Sequence, residues 1–210
     1  MEGYSSGIAK TDEQIARLLS ERPAGWEYLL YAGALRAGID RLDTKYKDYS
    51  IGYAPRLGVM IGRDDFLHFM QSQLNELELM IGSLNTVINN AEILEDALGP
   101  PGTPGDPDKI IHAASRVVRI YEDMLLWAEH VRGMAMPHKH REVAELLVQF
   151  SSPSINELRA FVDRFGAKIN ELPSRLACNE VIVIEERIRF TIPDELVKSF
   201  NEKLAALVTR

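Results

Sequence analysis

Histidine can bind metals and transfer protons, and five histidines occur in this chain: His68, His112, His130, His138 and His140. Helical metal sites usually carry His-x-x-x-His or Glu-x-x-His, because these spacings place two ligands on adjacent turns of one face. Neither spacing occurs here. His138 and His140 are the closest pair, but at a helix start they point in different directions. We therefore expect no metal site and no cofactor, although a site built across helices from His112 or His130 stays open.

Motifs for nucleotide and acyl chemistry are absent from the sequence. Neither Gly-x-x-x-x-Gly-Lys nor Gly-x-Ser-x-Gly occurs. The glycines of 99–107 (GPPGTPGDP) are separated by prolines, which lack the amide donors that a phosphate-binding loop needs. Cys178 is the only cysteine and has uncharged neighbours, so we assign it no nucleophilic role. The motifs leave enzymatic activity undecided and favour a protein without a catalytic centre.

Two segments place an arginine five or six positions before a histidine, namely Arg63 before His68 and Arg132 before His138. This spacing resembles that of the HEPN family, a group of all-α domains that includes many ribonucleases. The resemblance implies RNA cleavage without a metal, in which the histidine acts as acid or base and the arginine stabilises a pentavalent phosphate. It makes these four residues the candidate catalytic side chains.

Aromatic residues are concentrated before position 54 and are interleaved with basic ones. Tyrosine, tryptophan and arginine are typical of binding surfaces, because each combines a large apolar face with a polar tip. The cluster is therefore a candidate site for a small ligand or a partner, and the alternative is that these rings cover the helices. Its members are Trp26, Tyr28, Tyr31, Tyr46, Tyr49, Tyr53 and Arg56.

Composition and charge limit the classes of partner. The formal net charge is −7 and 46% of the residues are hydrophobic, which is typical of a globular protein and argues against binding to long nucleic acids or anionic membranes. No segment approaches the roughly 20 apolar residues needed to span a bilayer. The single cysteine and the absence of a signal-like start predict a cytoplasmic protein.

The positions of the apolar residues predict a helical hairpin. From Met70 to Ala91 and again from Ile110 to Val131, apolar residues recur at alternating steps of four and three, the pattern of a coiled-coil seam. The predicted arms run over 64–98 and 108–133, joined by the Pro/Gly turn 99–107. Extra apolar positions beside the second seam indicate that further helices cover the hairpin, as in a bundle.

The remaining segments predict smaller elements around this hairpin. Alternating apolar residues over 181–192 indicate a strand, which would pair with the alternating stretch 49–61 or with a second subunit. A C-terminal helix is expected over 194–208, and the first ten residues are expected to be flexible. The predicted fold is mainly α, one helical-bundle domain over 1–210 with a minor β element.

These observations favour a noncatalytic helical interaction or scaffold protein, either a homo-oligomer or a small subunit of a larger complex. The expected partner is a protein, self or another subunit, and neither a membrane nor an extended nucleic acid. Two alternatives stay open, a HEPN-like ribonuclease and a small-ligand-binding protein that uses the aromatic cluster.

Overall fold

The computed structural model describes residues 2–23, 25–50, 63–89, 103–134, 136–170 and 188–208, and these residues are mainly helical, as predicted. The helices are α1 (Glu2–Glu21), α2 (Trp26–Ser50), α3 (Arg63–Asn89), α4 (Pro107–Gly133), α5 (His138–Gln149), α6 (Ser152–Asn170) and α7 (Asp194–Val208). Within these ranges, no helix has both the length and the apolar character that a membrane span requires.

The two seams predicted from the sequence lie at the centre of the protein. Seam residues of α3 and α4, among them Met70, Leu77, Ile110 and Val117, are fully buried. The ring of Phe69 lies 6.0 Å from that of His130, which places the start of α3 beside the end of α4. The two helices thus pack together along their apolar stripes.

The start of α4 shows why the second arm begins where it does. The side chain of Asp106 accepts a hydrogen bond of 3.0 Å from the backbone N–H of Asp108, and Pro107 occupies the first turn, where its missing N–H costs nothing. Asp108 adds a negative charge at the positive end of the helix dipole. These local features favour a helix start at Pro107, whatever α4 packs against.

The most extensive helix contact joins α4 to α2, so α4 is covered on more than its α3 side. Gly38 of α2 allows the close approach, because a Cβ atom at this position would lie only 2.5 Å from Cγ2 of Val118 on α4. Val118 belongs to the extra apolar positions beside the seam. The central element of the fold is therefore α4, which packs between α2 and α3.

The structure corrects the sequence-based interpretation at the start of the alternating stretch 49–61. We predicted that this stretch is extended and pairs with another strand, but α2 continues to Ser50, and Tyr46 is buried in it. Leu35, Ile39, Leu42 and Tyr46 follow steps of four, three and four, and this helical period outweighs the alternation of Tyr49 with its neighbours. Residues 51–62 lie outside the described ranges.

No strand is present among the described residues, and the predicted strand over 181–192 is described only from Ile188 onward. In this part Ile188 and Phe190 are buried whereas Arg189 and Thr191 are exposed, so the burial alternates as the sequence indicated. Within the described ranges, the backbone of the segment is hydrogen-bonded to side chains of α3. The predicted partner segment 49–61 lies almost wholly outside the described ranges.

Helix α1 also differs in extent from the sequence-based expectation. It begins at Glu2, whereas we expected the first ten residues to be flexible. The helix ends where Arg22 adopts a positive φ of 41°, and Gly25 follows with φ 76°, a conformation that glycine accepts without strain. This turn folds α1 back onto α2, against which it mainly packs.

Candidate functional site

Three charged and polar side chains from α2, α4 and α6 meet in a partly buried network. Arg159 donates from Nε to Oδ2 of Asp43 at 3.0 Å and from Nη2 to Oδ1 at 2.7 Å, and the hydroxyl of Tyr121 donates to the same Oδ1. The guanidinium carbon of Arg159 lies 5.8 Å from the centre of the Tyr121 ring. The carboxylate of Asp43 therefore joins three helices.

The chemistry of this network suits a structural role, in which hydrogen bonds to one carboxylate hold three helices together. Burial, together with the hydrogen bond to Asp43, raises the pKa of Tyr121, so the phenol stays protonated and remains a donor. A guanidinium that forms a two-point contact with a carboxylate leaves it little capacity to accept a substrate proton. The sequence hinted at this network, because a tyrosine at a buried seam position needs a polar partner for its hydroxyl, but nothing in it identified Asp43.

A groove of about 810 Å³ lies between α1 and α6, with α2 as its floor. Apolar and small residues line it, including Ile15 and Leu18 from α1, Leu29 and Gly33 from α2, and Val162 from α6. A Cβ atom on Gly33 would lie 3.3 Å from Cγ1 of Ile15, so glycine lets α1 approach the floor closely. The groove therefore offers an apolar base along the outer side of α2.

Charged residues of both signs form the rim of this groove. Arg36 of α2 is paired with Asp163 of α6 and, at 3.3 Å, with Asp40 of its own helix. On the opposite side, Arg17 and Glu21 of α1 form a pair of 2.8 Å with more than half of each side chain exposed. The rim can therefore exchange its exposed ion pairs for pairs with a bound partner at little cost.

Two asparagines of α3 form a second notable arrangement with the segment before α7. The side-chain amide of Asn85 donates to the carbonyl of Phe190 at 2.8 Å and accepts from the N–H of Phe190 at 2.7 Å. Asn89 bonds Ile188 in the same two-point manner, at 2.5 Å and 3.0 Å. Each amide therefore takes the place of a residue on a neighbouring strand, and we call this pair the asparagine clamp.

The candidate catalytic residues near the α4–α5 turn are each paired with a glutamate. Nε of Arg132 lies 3.5 Å from Glu145, and Nδ1 of the highly exposed His138 lies 3.6 Å from Glu142. Within the described part of the chain, no hydrogen bond joins these two candidates. Arg141, which the sequence did not single out, closes the turn by donating to the carbonyls of residues 132 and 134 at 3.1 Å each.

The other candidate pair lies at the start of α3. His68 is exposed, and Arg63 is the first residue of the helix. Between these two positions, Phe66 faces inward, where its ring meets the ring of His140 edge-on, with their centres 4.3 Å apart. The structure thus brings the second histidine of the 138–140 pair into the core contact and leaves His138 at the surface.

The aromatic cluster predicted as a binding surface is divided by the fold. Trp26, Tyr31 and Tyr46 are buried, and Tyr28 is partly buried against the core. Arg22 lies over the Trp26 ring at 5.0 Å. Tyr49 falls within α2, while positions 53 and 56, occupied by Tyr53 and Arg56, lie outside the described ranges. Trp26, Tyr28, Tyr31 and Tyr46 therefore contribute their rings to the packing around α2.

Metal-binding groups do not gather at any point within the described ranges, since no three His, Cys, Asp or Glu side chains are placed to share an ion. Comparisons of the chain with protein-family models, curated proteins and solved structures gave no match. The functional proposal below is therefore based on the residues and their geometry alone.

Proposed function

We propose that this chain is a noncatalytic interaction protein, a helical bundle whose groove between α1 and α6 binds an amphipathic helix of a protein partner. The observation that carries the proposal is an apolar groove floor bordered by exposed charges of both signs. The partner is a second copy of the chain or another subunit of a complex. A reducing, cytoplasmic setting is part of the same proposal, because Cys178 has no second cysteine with which to form an intrachain disulfide.

The shape of the groove favours a helix as its ligand. Helix-binding grooves bury an apolar stripe of the ligand, whose residues recur every three or four positions. Ile15 and Leu29 offer contacts for such a stripe, and the small side chain of Ala167 leaves space for a helix backbone to approach. A helix lying in the groove would run beside α1 and α6 and cover the exposed side of α2.

The rim would determine the orientation of the bound helix. Lys10, Arg17 and Glu21 give the α1 side a net positive charge, whereas Asp163 gives the α6 side a negative one. A partner helix with acidic residues along one flank and basic residues along the other would match both walls in one orientation only, because like charges placed together repel. Binding through such a rim is expected to weaken as the salt concentration rises.

The proposal is tested by filling the groove with a bulky residue. Ala167 is exposed and lines the groove, so Ala167→Trp blocks it without disturbing the core. Ala206→Trp places the same new side chain at an exposed position of α7, which does not line the groove, and serves as the matched control. Tagged wild type and both variants are used to capture partners from the native cell, and the masses of their complexes are measured by light scattering.

We expect wild type and Ala206→Trp to retain the same partner in a defined stoichiometry and Ala167→Trp to lose it. Retention of that partner by all three proteins would contradict the groove as its binding site. A wild-type chain that stays monomeric at micromolar concentration and retains no protein would contradict the proposed function itself.

A further inference from the structure

The asparagine clamp works because two spacings nearly agree: that of residues four apart on a helix and that of residues two apart on an extended chain. Residues four apart on an α-helix are separated by about 6 Å along the axis, and residues two apart on a strand by about 6.6 Å. Asn85 and Asn89 therefore reach Phe190 and Ile188, with the segment antiparallel to α3. The helix surface presents hydrogen-bonding groups at nearly the spacing that a β-strand edge would present.

The clamp forms its hydrogen bonds with the main chain of its ligand. All four hydrogen bonds go to backbone N–H and C=O groups of the segment, so they do not depend on its side chains. The second amide proton of Asn89 is also used, since Nδ2 donates to the carbonyl of Asn85 at 2.9 Å. The amide of Asn89 is thus held in place on α3 before any ligand is considered.

Side-chain selectivity comes from the apolar surface next to the clamp. Ile188 and Phe190 are 7% and 2% exposed, whereas Arg189 and Thr191 between and after them point to solvent. The ligand that this site binds is therefore an extended segment with large apolar residues at alternate positions. Helix α7 follows at once and packs on α5, where the ring centres of Phe200 and Phe150 are 5.5 Å apart.

We propose that the clamp is a main-chain recognition site that also accepts this segment from a second copy of the chain, so that two copies exchange residues 188–208. The argument for a second copy is that exchange re-forms the same four backbone bonds, the same buried Ile188 and Phe190, and the same α7 packing, without a new interface. This inference is independent of the groove between α1 and α6. It supplies a partner for the segment that the sequence predicted to pair with the stretch 49–61 or with a second subunit.

The chain length is compatible with exchange. Residues 171–187 lie between the end of α6 and the clamped segment in the sequence. A stretch of that length, fully extended, spans at most about 60 Å. The C-terminal unit can therefore reach the α3 and α5 surfaces of a neighbouring copy.

A pair of complementary full-length variants tests the exchange. In one chain, Asn85→Ala and Asn89→Ala remove the clamp but leave the segment intact. In the other chain, Phe190→Ala weakens the binding of the segment to α3 but leaves the clamp intact. Each chain is purified alone, its folding is checked by circular dichroism, and the two are mixed and measured by size exclusion with light scattering. The control mixture replaces the first chain by a triple variant that combines all three substitutions.

We expect each variant alone to have the mass of one chain, and the mixture to contain a 1:1 complex with twice that mass, which is absent from the control mixture. A mixture of folded variants that contains only single chains would overturn the proposal. If Phe190→Ala fails to fold, Ile188→Ala replaces it, because it truncates the smaller of the two buried side chains. Formation of the complex in the control mixture as well would also overturn the proposal.

Discussion

The guanidinium of Arg159 on α6 holds the carboxylate of Asp43 on α2 through two hydrogen bonds of 3.0 Å and 2.7 Å. The same two helices supply one wall and the floor of the groove between α1 and α6. Tyr121 of α4 adds its hydroxyl to the same carboxylate and ties this contact to the centre of the fold. The geometry of the groove therefore depends on a polar network that lies outside it.

This dependence predicts strong coupling between Tyr121 and Asp43. Tyr121→Phe removes one hydrogen bond to a charged group, and we expect it to lower the free energy of unfolding by about 1.5–3 kcal/mol. In a double-mutant cycle with Asp43→Asn, the two effects should fall short of additivity by about 1 kcal/mol or more. Denaturant unfolding of the four proteins measures this. Additive effects would show that the hydroxyl does not interact with the carboxylate.

Gly38 is predicted to tolerate no side chain. A Cβ atom there would lie 2.5 Å and 2.8 Å from the two methyl carbons of Val118, so Gly38→Ala should destabilise the protein by about 1–3 kcal/mol, even though alanine favours helices. Gly82 is the matched control, because a Cβ atom on it would meet nothing within 4 Å, and Gly82→Ala should stabilise by about 0.5–1 kcal/mol. Thermal unfolding compares the two, and equal shifts would contradict the packing of α2 on α4.

The buried position of Tyr31 leads us to predict that the free energy of unfolding falls at high pH. Burial raises its pKa to about 12, from about 10 in an unfolded chain, so the folded state keeps the phenol proton in this interval while the unfolded state releases it. The stabilisation is complete below pH 10 and is lost as the pH rises towards 12, with a total of about 2–3 kcal/mol. Tyr31→Phe should flatten this part of the pH profile of the unfolding free energy. An unchanged slope would rule out Tyr31 as its source.

The asparagine clamp predicts slow hydrogen exchange at an unusual place. Among the described residues, the N–H of Phe190 bonds only to Oδ1 of Asn85, and Asn85→Ala should accelerate exchange at this amide by about 10- to 100-fold. Asn75→Ala, which changes an exposed asparagine of the same helix, should leave this rate unaltered. Amide exchange followed by NMR provides the measurement. Fast exchange in the wild type would contradict the clamp.

The helical core could be predicted from the sequence because its signal is periodic. The four-three spacing in α3 and α4 follows directly from the geometry of packed helices, and Met70, Leu77, Ile110 and Val117 are all buried as the pattern indicates. The alternation over 188–192 was equally informative about burial. This alternation could not show which groups form hydrogen bonds with the backbone of the segment, because a side-chain amide on a distant helix leaves no periodic pattern.

The functional surfaces were less accessible to prediction for the same reason. Asn85 and Asn89 resemble ordinary polar residues of a solvated helix face until the fold brings residue 190 beside them. The groove depends on the turn at Gly25, which folds α1 onto α2. Local sequence signals set the helices, whereas both sites arise from contacts between residues far apart in the chain.

The most direct test of the proposed function is the affinity of the purified partner for three forms of this protein. Calorimetric titration gives the Kd for wild type, Ala167→Trp and Ala206→Trp under one salt condition. The groove predicts that Ala167→Trp raises the Kd by at least about tenfold, which corresponds to about 1.4 kcal/mol, and that Ala206→Trp leaves it unchanged. Equal Kd values for all three proteins would contradict binding in the groove.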